Sequence, residues 1–267
     1  MRSYKRITAA QRRRMYLEQI EVLRRAPAFA KTLEAHRTKA LRDTLQLYVG
    51  SEVTSDFRIN IDEPYMTDWY RQLYSTVGAP VAERQFDKFV HNSKKSALND
   101  LWGAAINNYI DQWVGTKITL IGDSFARWVA KFVKETVRES MKETSSGISV
   151  MTDDVYSEVM KKWKEVRRWQ VMRIVNVEVM SAKSVSQHVS VDSLGVPYKK
   201  QWVTAFHNSR QWHEDMDGII VDAGEYFYPD GEQMEYPRDV RFGASARNII
   251  NCMCDCDYIQ TRYDDLG

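Results

Sequence analysis

The chain has 267 residues, 43% of them hydrophobic and 28% charged, with a formal net charge of +2. That length and apolar content suit one large domain or two small ones with a real core, and the near-neutral balance excludes a chain that coats nucleic acid along its whole length. No apolar run approaches the ~18–20 residues of a bilayer-spanning helix, and the charged N-terminus lacks the apolar stretch of a signal peptide.

The charge is unevenly spread. Residues 1–42 hold twelve Lys or Arg, among them Arg12, Arg13, Arg14, Arg24, Arg25 and Arg37, against Glu18, Glu21 and Glu34. The remainder is net acidic, so the pattern predicts a basic arm that meets an anionic partner. In chain order, a helix is expected over 8–25, with Thr8 and Gln11 at capping-box spacing. A second follows from Pro27, which suits a first turn because its missing N–H is not needed there. It runs to about Tyr48, and the two helices form the arm, residues 1–48.

Residues 50–65 read as irregular or briefly extended, with Phe57, Ile59 and Ile61 alternating. Helical periodicity returns at 65–76, 80–93 and 97–113, where Leu98, Trp102, Ile106 and Ile110 share a face. A longer pattern covers 119–142 and ends at Ser145-Ser146-Gly147. Asp153 is placed to cap a helix through Trp163, and 166–189 is again helical. Gly195-Val196-Pro197 marks a turn. Residues 218–236 alternate around Pro229-Asp230-Gly231, a hairpin signal because proline presets φ and glycine accepts φ > 0. The expected fold is α+β: a mainly helical N-terminal region, then a small C-terminal α+β domain with a β-hairpin. The expected divisions are 1–48 (basic helical arm), 49–165 (helical domain) and 166–267 (α+β domain).

The C-terminal part carries six short blocks in order: Arg173 to Glu178, Lys200-Gln201-Trp202-Val203-Thr204, Arg210 with His213, Asp217-Gly218, Pro237-Arg238-Asp239, and Asn251-Cys252-Met253-Cys254. Over roughly 165–258 this resembles the phage Mu F-like domain of minor head (head-morphogenesis) proteins. The resemblance implies a virion protein of a tailed bacteriophage, in few copies per head. It would bind the portal and, as a second partner, the major capsid protein, with roles in head assembly and in DNA packaging or ejection. It also implies host cytoplasm during assembly, a capsid-interior or portal-vertex location afterwards, no membrane, and no enzymatic turnover. Two positions depart from the family pattern. Phe206 stands where an Asp is common, with His207 beside it, and Asn248 stands where a Glu is common.

Weighed by their own chemistry, His213, Cys252 and Cys254 are zinc-ligand types, with His207 or Cys256 available as a fourth. The alternative is a small apolar Cys252 and a locally bonded His213. A Cys252–Cys254 disulfide is disfavoured by the strain of so short a loop, and reduced thiols are expected. Arg173 is a candidate partner for Asp217 or Asp239 in a buried ion pair. Arg12, Arg13, Arg14, Arg24, Arg25 and Arg37 are the candidate portal- or DNA-binding residues. DNA binding would show as salt-dependent affinity, and a solvated basic face is the remaining alternative. Phosphate-cradling and dinucleotide glycine patterns are absent. Gly122-Asp123-Ser124 falls in a helical pattern, which speaks against a hydrolase nucleophile. The tryptophans at helical spacing read as core. Besides portal docking, the sequence therefore leaves open a DNA-binding accessory protein and a zinc-dependent enzyme.

Overall fold

In the computed structural model the described residues are 7–50, 59, 62–89, 95–140, 152–204 and 209–261, and every structural statement below refers to them. Helix α1 (Ala9–Leu23) opens on the expected capping box. The Gln11 N–H donates to Thr8 Oγ1 at 3.2 Å, and the Thr8 N–H donates to Gln11 Oε1 at 2.8 Å. Helix α2 (Ala26–Tyr48) carries Pro27 in its first turn. Asp62 caps α3 (Glu63–Leu73) by accepting the Tyr65 N–H at 3.0 Å.

Helix α3 continues through a π-helical turn, Tyr74–Gly78, into α4 (Ala79–Phe89). Pro80 explains the wide turn. It has no N–H to donate to Thr76, and its ring crowds that carbonyl. The ladder therefore widens by one residue, and the Ala79 N–H reaches back to Tyr74 O. Gly78 lets α4 pack closely, because a Cβ there would lie 2.2 Å from Ser186 Oγ and force that hydroxyl to shift.

Two long helices follow, α5 (Lys95–Ser140) and α6 (Asp153–Asp192). Each fuses two segments that periodicity alone separates. Within α5 the interruption near residue 115 is one glycine, which costs only about 1 kcal/mol relative to alanine and does not stop a helix without a proline or a C-cap. Within α6 the residues around 164–166 contain no breaker at all. Thr152 rather than Asp153 caps α6, its Oγ1 accepting the Val155 N–H at 3.2 Å. Asp153 and Asp154 lie in the first turn, where the helix dipole favours carboxylates. Phe57, Ile61 and the Ser145-Ser146-Gly147 break fall outside the described residues.

After the Gly195 turn (φ +61) come strands β1 (Tyr198–Val203), β2 (Ile220–Asp222) and β3 (Asp255–Gln260). They form an antiparallel sheet in the order β2-β1-β3, with Trp202 opposite Cys256 and Lys200 opposite Val221. The fold is thus mainly helical with a small α+β C-terminal region. The Pro229-Asp230-Gly231 turn forms, with Asp230 at φ 52 and Gly231 at φ 76, but a single bridge, Phe227 to Met234, closes it. The strand of that stretch, β2, pairs with β1 instead. The side chains around the turn are drawn away from a ladder, Glu232 to Asn248 and Glu235 to His188 and Arg241.

The chain gathers into two units that cut across the three consecutive segments expected. One comprises 1–26, 71–109 and 173–267; the other comprises 27–70 and 110–172. In the second, Leu33, Leu41, Leu45, Phe125, Val129 and Trp163 are buried, and the Trp163 indole donates to Thr38 Oγ1 at 2.9 Å. In the first, Val175, Val179, Trp202, Phe227, Tyr236 and Tyr258 form the core. Trp69, Trp102 and Trp163 are buried, as their helical spacing predicts, while Trp169 is exposed. Gly122-Asp123-Ser124 lies inside α5. Among the described residues, no helix is long and apolar enough to cross a membrane.

Candidate functional site

Four of the six sequence blocks converge beside the sheet in the first unit. The short helix α7 (Gln211–Glu214) presents His213, and its position is fixed from β1's end by Thr204, whose Oγ1 donates to the His213 carbonyl at 2.7 Å. From the other side, α8 (Ala246–Ile249) leads to Asn251 at φ 57, and that turn brings in Cys252 and Cys254. His213 Nδ1 lies 3.6 Å from Cys252 Sγ and 3.4 Å from Cys254 Sγ. The three ligand-type atoms lie within 4.8 Å of one another, and all three residues are buried.

The far side of the imidazole is held by Asn248. Its Nδ2 donates to Glu232 Oε2 at 2.7 Å and to the Pro229 carbonyl at 3.3 Å, so its Oδ1 faces the opposite way. That oxygen accepts the Trp212 indole N–H at 2.6 Å and lies 2.9 Å from His213 Nε2. An amide oxygen only accepts, so Nε2 carries a proton, and in neutral His213 the Nδ1 lone pair faces the two sulfurs.

Arg238, 1% exposed, clamps the cysteine loop. One guanidinium nitrogen donates to both the Cys252 and Cys254 carbonyls at 2.8 Å and lies 3.9 Å from Cys252 Sγ; another bonds Ser184 on α6. Arg238 holds φ at +71, an unusual conformation for a residue with a Cβ. The thiols respond unequally. A hydrogen bond from Cys254 pulls Cys252 well below the ordinary thiol range against the effect of burial, and His213 and Arg238 reinforce it. Cys254 is pushed up by the same shared proton and by burial. Cys256, expected as a possible fourth ligand, stands apart. Its thiol contacts the Asp257 carbonyl at 3.9 Å and burial pushes it up to about 12. His207 and Phe206 lie outside the described residues.

The other positions of the six blocks divide. Asp217 is held by Arg12, with contacts of 2.6 and 2.9 Å, and accepts the Thr204 N–H at 2.8 Å. Burial would raise its carboxyl, but Arg12 and Thr204 bring it below the ordinary value. Gly218, at φ +82, supplies the N–H that reaches Trp202 O at 2.9 Å. Pro237 is buried, and Arg210 donates to the Ile250 carbonyl beside the cysteine loop. Glu178 is buried on α6 and Arg173 is exposed there. Asp217 pairs with Arg12 and Asp239 with Arg241, where Arg173 was the expected partner. The buried ion pair that joins helix to sheet is Lys183 with Asp255.

The basic arm is also corrected. Helix α1 is part of the first unit, where Arg12 reaches Asp217 and the Gln19 amide donates to Met253 O at 3.0 Å. From Pro27 onward, α2 belongs to the second unit, where Arg37 is 2% exposed with its guanidinium 3.9 Å from the centre of the Phe125 ring. Arg37 is therefore internal, and Arg12, half-buried, is taken up by Asp217. Arg13, Arg14 and Arg24 are exposed and Arg25 is half-buried. We expect Arg12→Ala to cost about 1.5–3 kcal/mol, the range for hydrogen bonds to charged groups. Arg13→Ala should stay within about 0.5 kcal/mol. Urea denaturation of both variants checks this, and equal effects would contradict the contact.

A second polar network surrounds Glu235. His188 Nε2 lies 3.1 Å from Glu235 Oε2, and Arg241 bridges Glu235 and Asp239. Burial alone would raise the Glu235 carboxyl. Its hydrogen bond and charge interaction with His188, then those with Arg241, outweigh burial and lower it to about 2 from an ordinary 4.5. A depressed carboxyl stabilises the fold above its unfolded value and loses that contribution as the group protonates. The loss therefore falls between about pH 4.5 and pH 2. Glu235→Gln should flatten the acid limb of a stability–pH curve in that window, and an unchanged limb would contradict the network.

No family model matches the chain. The chain is similar to the NAD(+)–arginine ADP-ribosyltransferase EFV of Enterococcus faecalis (strain ATCC 700802 / V583), at 30% identity over 108 residues, covering 35% of this chain and 22% of that protein. It is also similar to the uncharacterized protein YqbB of Bacillus subtilis (strain 168), at 34% identity over 82 residues, covering 29% of this chain and 26% of that protein. The chain thus spans about a quarter of the length of these curated relatives. No solved structure matches.

Proposed function

We propose that the protein is a minor head protein of a tailed bacteriophage that docks on the portal or inner capsid and supports head assembly and DNA packaging or ejection. The observation that carries this reading is the closed state of the site built from the Mu F-like blocks. His213, Cys254 and Trp202 are each at most 1% exposed, so these residues hold a structural module together instead of meeting a substrate. The docking surface then lies elsewhere, and Arg13, Arg14 and Arg24 are its exposed basic candidates. The test is co-purification of the full chain with portal assemblies from the same phage, together with its copy number in mature heads. Stable binding and a fixed low copy number support the reading; a chain that neither binds portals nor appears in heads sinks it.

A DNA-binding role is favoured by one further observation. An open groove of about 600 Å³ in the second unit is lined by Lys31, Lys39, Arg42, Arg167 and Arg168. Glu34 and Asp43 offset part of that charge, through Arg167 and Lys39. Duplex binding whose affinity falls with salt and weakens in an Arg42→Ala, Arg168→Ala variant would support this role. The transferase activity named for the enterococcal relative is tested directly, by incubating the chain with NAD+ and an arginine-containing acceptor. We expect no transferred ADP-ribose, and transfer would overturn the non-enzymatic reading.

A further inference from the structure

We propose that His213, Cys252 and Cys254 form a structural zinc site. The distances agree with that metal. Zn–S bonds of about 2.3 Å and Zn–N bonds of about 2.0–2.1 Å, at the tetrahedral angle, put sulfur and nitrogen about 3.6 Å apart. The two observed Nδ1–Sγ separations are 3.6 and 3.4 Å. Both nitrogen–sulfur separations are therefore already those of a loaded site.

The chemistry agrees as well. Two soft thiolates and an imidazole select zinc over hard cations such as magnesium or calcium. The imidazole presents the correct nitrogen, because Asn248 occupies Nε2 and leaves the Nδ1 lone pair aimed at the sulfurs. Metal-bound histidines characteristically donate their other N–H to such an oxygen, which fixes both tautomer and ring plane. The cysteine loop is fixed independently by the Arg238 clamp on both cysteine carbonyls. Zinc with two thiolates is electrically neutral, so the site adds no net charge beside the buried Arg238. On loading, the two thiol protons leave to solvent. No redox step is involved. The site does not depend on portal docking, so the two readings fail separately.

The test is metal analysis of the full chain after expression in zinc-supplemented medium and purification without chelators. About one zinc per chain is expected, lost in the Cys252→Ser, Cys254→Ser double variant and kept in Cys256→Ser, whose thiol stands outside the cluster. Asn248→Ala should weaken zinc binding about 10- to 100-fold in a chelator competition, the range for losing a partner that orients a ligand. Because replacing two buried thiols can itself unfold a chain, Co2+ added to the metal-free wild-type protein gives a second readout. Intense visible bands of tetrahedral cobalt with near-ultraviolet thiolate charge-transfer bands support the site. Zinc below about a tenth of an equivalent together with a cobalt spectrum lacking those bands overturns it. Zinc retained in a folded double variant also overturns it.

Discussion

Replacing Asp255 with Ala is expected to destabilise the first unit by about 3–5 kcal/mol, because it leaves the Lys183 ammonium buried without its counter-charge. Lys183 lies on α6 and Asp255 opens β3, with side chains 1% and 2% exposed and their charged atoms 2.5 Å apart. Each has a further partner. Lys183 also donates to Gln187 Oε1 at 3.1 Å, and Asp255 accepts the Cys256 N–H at 3.0 Å. Desolvating two ions is costly, so the pair itself need not stabilise the fold strongly. Orphaning one member is what does the damage. Removing both charges, as in Lys183→Met with Asp255→Leu, should therefore recover most of the loss. Hydrogen exchange at the β1 and β3 amides reads the opening free energy of this unit alone, which matters in a chain with two units. A single-substitution effect below about 1 kcal/mol, or a double variant as damaged as the single, would remove the argument.

Lys183–Asp255 also shows which parts of the structure a sequence reveals. Local rules were legible. Thr8 and Gln11 form the capping box their spacing implies, Pro27 sits in a first turn, and Gly195 turns the chain into β1. These features depend on neighbours a few residues apart. Helix ends were less legible, since α5 and α6 run on through Gly115 and residues 164–166, where the apolar periodicity lapses without a breaker to stop the helix. Buried charge was not legible at all. Arg12, Arg37, Lys183 and Arg238 look like solvated cations in one dimension, and each finds its partner from far along the chain: Asp217, the Phe125 ring, Asp255, and the Cys252 and Cys254 carbonyls.

The candidate site was legible in its ligands and not in its supports. His213, Cys252 and Cys254 stand out by residue type, and the structure brings them together. Asn248 is not singled out by its residue type. Its role follows from four contacts, to His213, Trp212, Glu232 and Pro229. Arg238 lies within a quoted block, but nothing in Pro237-Arg238-Asp239 says that the middle residue turns inward. A φ of +71 at a non-glycine residue is a three-dimensional observation, and so is the guanidinium's contact with the cysteine loop.

Trp202→Ala should be the second severe substitution, at about 3–5 kcal/mol, the range for deleting a buried large aromatic. Trp202 is fully buried on the central strand, which is hydrogen-bonded to a neighbour on each side. Its indole meets Phe227 edge-on at 5.3 Å and His213 at 5.6 Å between ring centres. Backbone bonds at the same residue tie β1 to the Asp217-Gly218 turn, since the Trp202 N–H donates to Ile219 O and the Gly218 N–H donates to Trp202 O, both at 2.9 Å. The cavity left by alanine therefore opens between elements that cannot close over it without moving His213. Trp202→Phe keeps an aromatic edge for both neighbours and should lose markedly less. Leu17→Ala, at a position of the same unit that is 56% exposed, should stay within about 0.5 kcal/mol. Hydrogen exchange in the sheet ranks the three. If Trp202→Ala matched Leu17→Ala, the sheet would not depend on this side chain, and the closed-module argument for a structural role would lose its main support.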